Sequence, residues 1–213
     1  MANSSLDSPT SPASNPNSPA QSQAQSPAQS PAQGQAVRWA VVGIAVLFIA
    51  FFAYALVAKR EAPRPSSGRA PDFALTFFKD YQGGLGEGVA LADLKGKHIV
   101  LNFWASWCAP CKEEAATLQQ AAVDYADKGV VFVGVDYLDQ EPAAMRYLQN
   151  YKITYANGPD LASQIARRYR IQGVPETFFI KADGTVDWFK IGPLSDAELR
   201  GCLDQLIGGG SCK

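Results

Sequence analysis

Histidine is nearly missing from this chain: His98 is the only one in 213 residues. One imidazole cannot supply a histidine-rich metal site. Cysteine is also sparse, and four residues are too few to staple a domain of this size with disulfides. Basic charge is not in excess. The net charge is −1, and residues 70–213 carry 14 Lys/Arg against 18 Asp/Glu, with no basic patch suited to nucleic acid. Large apolar side chains are scarce at the start of the chain, where Leu6 stands almost alone before residue 37. Charge of either sign is missing from the 20 residues Trp39 to Ala58.

These gaps divide the chain. Residues 1–36 are dominated by Ser, Pro, Gln, Ala and Asn and repeat Gln-Ser-Pro-Ala-Gln at 25–29 and 29–33. Such a composition cannot offset the entropy of ordering, so a disordered tail is expected, with a Pro-rich docking ligand as the alternative. Residues 37–58 read as a single transmembrane anchor, because 20 apolar residues at ~1.5 Å each span a ~30 Å hydrocarbon core. Trp39 and Tyr54 suit its two interfaces. A secretory signal is the competing reading, and Ala53-Tyr54-Ala55 offers a cleavage-like tripeptide, but signal cores run only about 7–15 residues. Residues 59–70, with Pro63, Pro65, Ser66, Ser67 and Gly68, read as a linker. Arg38 precedes the span, whereas Lys59, Arg60, Arg64 and Arg69 follow it. The positive-inside rule alone would leave the C-terminal part in the cytoplasm.

From Pro71 to about 207, strand and helix signals alternate, which implies an α/β domain with a mixed sheet and helices on both faces. Phe73–Phe78 and Gly88–Leu91 suggest a hairpin around Gly83-Gly84-Leu85-Gly86. Lys97–Trp104 is an apolar strand. The helix after it is expected to run to about Lys128, where Gly129 stops it. Val130–Val135 has the continuous apolar character of a parallel strand buried on both faces. Helices are expected over Pro142–Tyr151 and over Asp160–Tyr169, the latter capped by Asp160. Strands Glu176–Lys181 and Thr185–Lys190 form a hairpin, and Ser195 with Glu198 makes a capping box for a last helix to Leu206. The Gly-rich residues 208–213 read as a flexible tail.

At the junction of the apolar strand and the first long helix lies Trp104-Ala105-Ser106-Trp107-Cys108-Ala109-Pro110-Cys111. A Cys-X-X-Cys pair there suits reversible dithiol–disulfide chemistry. Free N–H groups and the helix dipole favour a thiolate at Cys108. Cys111 lies one turn on and can close a short disulfide. Cys108 is the expected nucleophile and Cys111 the resolving thiol, with Trp104 packed and Trp107 shielding the pair while one sulfur stays open. A zinc half-site is the alternative, but only Cys202, Cys212 and His98 remain to complete four ligands. No metal and no cofactor are expected.

The Trp-Cys-Ala-Pro-Cys motif resembles thioredoxin, and Gly173-Val174-Pro175-Glu176-Thr177-Phe178 resembles the cis-proline loop of that superfamily. Residues 70–207 as a whole are similar to the membrane-tethered reductases of cytochrome c maturation, the ResA/CcmG (DsbE) and TlpA group. The N-terminal hairpin, the inserted Pro142–Tyr151 helix and Glu176-Thr177 match that group better than plain thioredoxin. The resemblance implies a thioredoxin-like fold and a cis Pro175 against the cysteine pair, with Val174 left free to pair with an extended peptide. It implies that Trp107, Ala109, Pro110, Val174, Pro175 and Glu176 contact substrate, although an exposed Glu176 without a role is the bland alternative. Glu114, three residues beyond Cys111, occupies the position of a glutamate near the ResA-like active site, and Asn102 replaces the buried aspartate of thioredoxin. Glu113 reads as a solvated charge. Cys202 reads as an inert buried thiol, with a Cys202–Cys212 disulfide as the lesser alternative.

The function implied is an anchored, extracytoplasmic thiol–disulfide oxidoreductase. Its substrate by resemblance is the Cys-X-X-Cys-His disulfide of apocytochrome c, and its electron donor a membrane dithiol carrier of the CcdA or DsbD kind. A tether outside the membrane makes physical sense because cytosolic thioredoxin cannot cross the bilayer. That argument overrides the charge count in setting orientation. A monomer is expected. Alternatives are a broad anchored thioredoxin, a peroxidase, a copper-binding chaperone of similar fold, and a non-catalytic adaptor that would leave the paired cysteines unexplained.

Overall fold

The computed structural model describes residues 31–58 and 63–212. Residues 1–30 of the tail expected over 1–36, residues 59–62 of the linker and residue 213 lie outside the described residues. The chain divides into two units at the 60/61 junction, and each is described by itself.

The first unit contains helix α1, Pro31–Ala58. Within it Gln35–Ala55 has a mean hydropathy of 2.3 and is long and apolar enough to cross a membrane. The helix begins inside the segment expected to be tail. Pro31 suits a first helical position, and adding Ala and Gln residues to an existing helix is far easier than nucleating one.

In the second unit, strands β1 (Ala74–Thr76) and β2 (Gly88–Ala90) form the expected antiparallel hairpin. The main sheet holds β3 (His98–Trp104), β4 (Val130–Tyr137), β5 (Ala156–Asp160), β6 (Glu176–Ile180) and β7 (Val186–Ile191) in the order β5-β4-β3-β6-β7. β3, β4 and β5 are parallel, and β6 and β7 return antiparallel. The central β3 is covered on both sides. Ile99, Leu101 and Phe103 pack under the hairpin with Phe73, Leu75 and Tyr169. Val100 faces the other layer with Leu118, Leu199 and Leu203. The helices are α2 (Ala109–Asp124), α3 (Glu141–Asn150), α4 (Gln164–Tyr169) and α5 (Asp196–Ile207). α2 ends four residues before the expected stop and passes through a short 3-10 turn to Gly129, whose φ of 78° reverses the chain.

β5 has no counterpart in the sequence reading. Its residues Ala-Asn-Gly-Pro-Asp have neither alternation nor β-branched character. Pro159 is tolerated because β5 is the edge strand. Asp160 ends this strand rather than opening a helix, yet its carboxylate accepts from Gln164 N and Ala166 N (2.8 Å each) and so caps α4 from outside.

Cys202 and Cys212 are joined in a disulfide, which corrects the expectation of an inert thiol in α5. The same bond docks the segment read as a flexible tail. Asp187 on β7 accepts from Ser211 Oγ (2.8 Å) and Cys212 N (2.7 Å) and pairs with Lys181. Gly209, at φ 77°, provides the turn that brings Cys212 back onto α5. The glycines that suggested mobility serve as a corner.

Candidate active site

β3 delivers the cysteine motif from its C-terminal end, at the middle of the sheet. Cys108 is the N-cap of α2, and its Sγ accepts from Cys111 N at 3.1 Å. Pro110, lacking an N–H, sits in the first turn, where no intrahelical donor is needed. Cys108 and Cys111 form a disulfide with Cα atoms 5.3 Å apart. Cys108 is only 3% exposed and Cys111 fully buried. In this oxidised form neither sulfur is open, contrary to expectation. The neighbouring Ala109 and Trp107 are exposed instead.

The two tryptophans differ as the sequence suggests. Trp104 is buried, stacks on Tyr147 at 4.4 Å and donates its indole N–H to Asn157 Oδ1 at 2.8 Å. Gly134 leaves room for that bond, since a Cβ there would stand 1.8 Å from Asn157 Oδ1. Trp107 is 58% exposed and donates to Leu138 O. Tyr147, from the inserted helix α3, donates its hydroxyl to Cys111 O at 2.8 Å. Ser106 is held by Asp139, which accepts from both its amide and its hydroxyl.

Glu114 is buried one turn past Cys111, whereas Glu113 is solvated. Glu114 Oε1 accepts from Asn102 Nδ2 (2.9 Å) and Oε2 from Leu194 N (2.8 Å). Burial pushes its carboxyl up to about 7, against the downward pull of those two hydrogen bonds. Asn102 also donates to Thr177 Oγ1 at 2.9 Å, so it ties α2 to the strand that follows Pro175. A second buried acid, Asp136, lies beside Trp104 in the β3–β4 register. Neither of its oxygens has a hydrogen-bond partner, and burial together with the charge of Asp139 raises it to about 8.

The Val174–Pro175 bond is cis. Val174 packs against the cluster that contains both cysteines. Its backbone makes no hydrogen bond among the described residues. A groove of about 360 Å³ is lined by Pro110, Val174, Pro175, Glu176, Ile191 and Arg64, among others. It gathers four of the six residues expected to contact substrate and leaves out Trp107 and Ala109. Glu176 lines the groove as expected, and the alternative of an exposed charge is overturned. It is 1% exposed and paired with Arg64.

Sequence reasoning missed Asp136, Asp139, Tyr147, Asn157 and Arg64. Asp136 carried a faint signal, a carboxylate closing a run of apolar residues. Arg64 carried none, since it stands in a stretch with the composition of a linker.

The disulfide at a helix N-terminus, beside a groove where the backbone of Val174 is unpaired, is suited to exchange with a peptide disulfide. Comparisons with known proteins agree. A family model described as AhpC/TSA matches residues 67–189. The thiol-disulfide oxidoreductase ResA of Oceanobacillus iheyensis is 34% identical over 137 residues, 64% of this chain and 70% of that protein. The thioredoxin-like protein YneN of Bacillus subtilis is 30% identical over 71% of this chain and 86% of its own length. Among solved structures, a thiol:disulfide interchange protein DsbE from Chlorobium tepidum superposes with a TM-score of 0.58 at 30% identity, covering 69% of this chain and 98% of that one. A secreted disulfide oxidoreductase of Mycobacterium tuberculosis homologous to DsbE gives 0.53 at 29% identity, covering 64% and 95%. Shared fold, shared motif order and these identities place the chain in the AhpC/TSA family, as a thiol–disulfide oxidoreductase of the ResA and DsbE type with a thioredoxin-like fold.

Proposed function

We propose that the chain reduces the Cys-X-X-Cys-His disulfide of apocytochrome c from the outer side of a membrane that α1 anchors it in. The observation that carries this reading is the Cys108–Cys111 disulfide set beside the Val174–Pro175 groove. In the dithiol form, the Cys108 thiolate attacks one substrate sulfur, forming a mixed disulfide and expelling the other substrate sulfur as a thiolate. Cys111 loses its proton and attacks Cys108 Sγ. The substrate sulfur held in the mixed disulfide leaves as a thiolate, the substrate is reduced by two electrons, and the enzyme disulfide returns. Glu114, half-ionised near pH 7, is suited to take the Cys111 proton. A membrane dithiol carrier of the CcdA or DsbD kind restores the dithiol and is oxidised in turn. Trp107 and Ala109, exposed beside Cys108, would meet the substrate from outside the groove.

The Cys202–Cys212 disulfide supports an extracytoplasmic placement, because structural disulfides persist in oxidising compartments. It weighs against the positive-inside count. The substrate assignment rests on the resemblance to the cytochrome c maturation group. The alternative of a broad anchored thioredoxin has one observation behind it, the thioredoxin-like relative YneN. A deletion strain assayed for covalently attached c-type heme decides between them. Loss of attachment that added thiol restores is the expected result, and normal attachment would refute the dedicated role.

A further inference from the structure

The segment read as linker is docked from Pro63 onward. Arg170 Nη1 donates to Pro63 O at 2.7 Å, Val186 N to Gly68 O at 2.8 Å, and Ala70 N to Gly184 O at 2.9 Å. Arg69 forms a bridge with Thr185. The chain thus lies as a strap across the β6–β7 hairpin. At its head, Arg64 donates Nε and Nη2 to the two oxygens of Glu176 at 2.7 and 2.8 Å. The side chains are 13% and 1% exposed, and the guanidinium sits 6.0 Å from the Phe189 ring centroid.

This pair bears on the groove directly. Glu176 follows Pro175 in the chain, and its Oε1 also accepts from Gln172 N at 2.9 Å. The carboxylate therefore ties the start of the Gln172–Pro175 loop to the residue that follows its end. A carboxylate so deeply buried is strongly destabilising without its cation, and the two-pronged guanidinium fixes its plane as well as its charge. Arg64 and Pro110 are wall residues of the same groove. Arg64 lies ahead of the matched family region 67–189.

We propose that Arg64 is a positioning residue for exchange with peptide disulfides: through Glu176 it holds the Gln172–Pro175 loop where a substrate backbone can pair with Val174. The proposal rests on the reading of that groove as the peptide site. Small disulfides, which have no backbone to pair, depend on the loop far less. The strap makes the end of the tether part of the substrate site.

The test uses the pre-reduced full chain in detergent in single turnovers, so that its own dithiol is the reductant. KM is read as the half-saturating concentration and kcat as the limiting rate, for either an oxidised Cys-X-X-Cys-His peptide or 2-hydroxyethyl disulfide. Arg64→Met is expected to raise KM for the peptide about tenfold, with kcat falling less than about twofold, and so to lower the peptide-to-small-disulfide rate ratio about tenfold. Arg64→Lys keeps the charge but not the fork and should raise KM about threefold. The exchanged pair Arg64→Glu with Glu176→Arg should recover part of the peptide KM. An unchanged peptide KM, or equal slowing toward both disulfides, overturns the proposal. If Arg64→Met fails to fold, Arg64→Lys decides by the same criteria. Wild-type protein showing no preference for the peptide would instead remove the groove reading itself, and this proposal with it.

Discussion

Replacing Glu114 by Gln should change how stability depends on pH, and the structure gives both the sign and the size. The carboxyl is raised from its ordinary 4.5 to about 7 by burial. The folded state therefore holds a proton that the unfolded state releases. The stability this contributes is complete below pH 4.5 and is lost as pH rises through 7, about 3 kcal/mol in all. A glutamine removes that dependence at a different cost. Its amide must point NH₂ at Asn102 Nδ2 or Leu194 N, both donors, so one contact is lost at about 1–3 kcal/mol. The variant should be less stable than wild type at pH 5, and the two should converge or cross by pH 8. Urea unfolding of the oxidised full-length chain in detergent at pH 5, 6, 7 and 8 reads the difference. Asp136, raised in the same direction, is common to both proteins and cancels. A constant gap at all four pH values would refute the assignment of a buried, proton-holding Glu114.

Cys108→Ser should abolish reduction of insulin disulfides, while Cys111→Ser should accumulate mixed disulfides visible on non-reducing gels; a Cys108 variant that still reduces insulin would reassign the nucleophile. Cys212→Ser should lower unfolding stability by about 2–3 kcal/mol through freeing the loop in the unfolded chain, with little effect on insulin reduction. Gly134→Ala should cost at least about 1–3 kcal/mol in urea unfolding, because the added Cβ meets Asn157 Oδ1 at 1.8 Å and Trp104 Nε1 at 2.9 Å. Wild-type stability there would show that the Trp104–Asn157 bond is dispensable.

Much of the fold was legible because its signals are local. The apolar runs of β3 and β4, the Ser195–Glu198 capping box and the Cys-Ala-Pro-Cys junction each announce themselves within a few residues, and the capping box is present as read. The disulfide of the motif and the cis Pro175 lie where the two motifs put them. What stayed hidden depends on partners distant in the chain. β5 is a strand only because β4 offers it an edge. Glu176 looks like a surface charge until Arg64, 112 residues away, folds over it. The C-terminal tail looks mobile until Asp187 and Cys202 claim it. Glu114 could be singled out by helical spacing, but its proton affinity arises from burial in the folded core, against a hydrogen bond from Leu194 N, 80 residues on.

The hydroxyl of Tyr147 on the Cys111 carbonyl has a consequence for the opened site. Reduction severs the sulfur–sulfur link, yet the main chain around Cys111 stays clasped by a neighbour that takes no part in electron flow. That hydrogen bond opposes main-chain displacement at Cys111 while the two sulfurs part. The helix that carries Tyr147 thus acts as a splint for the resolving cysteine.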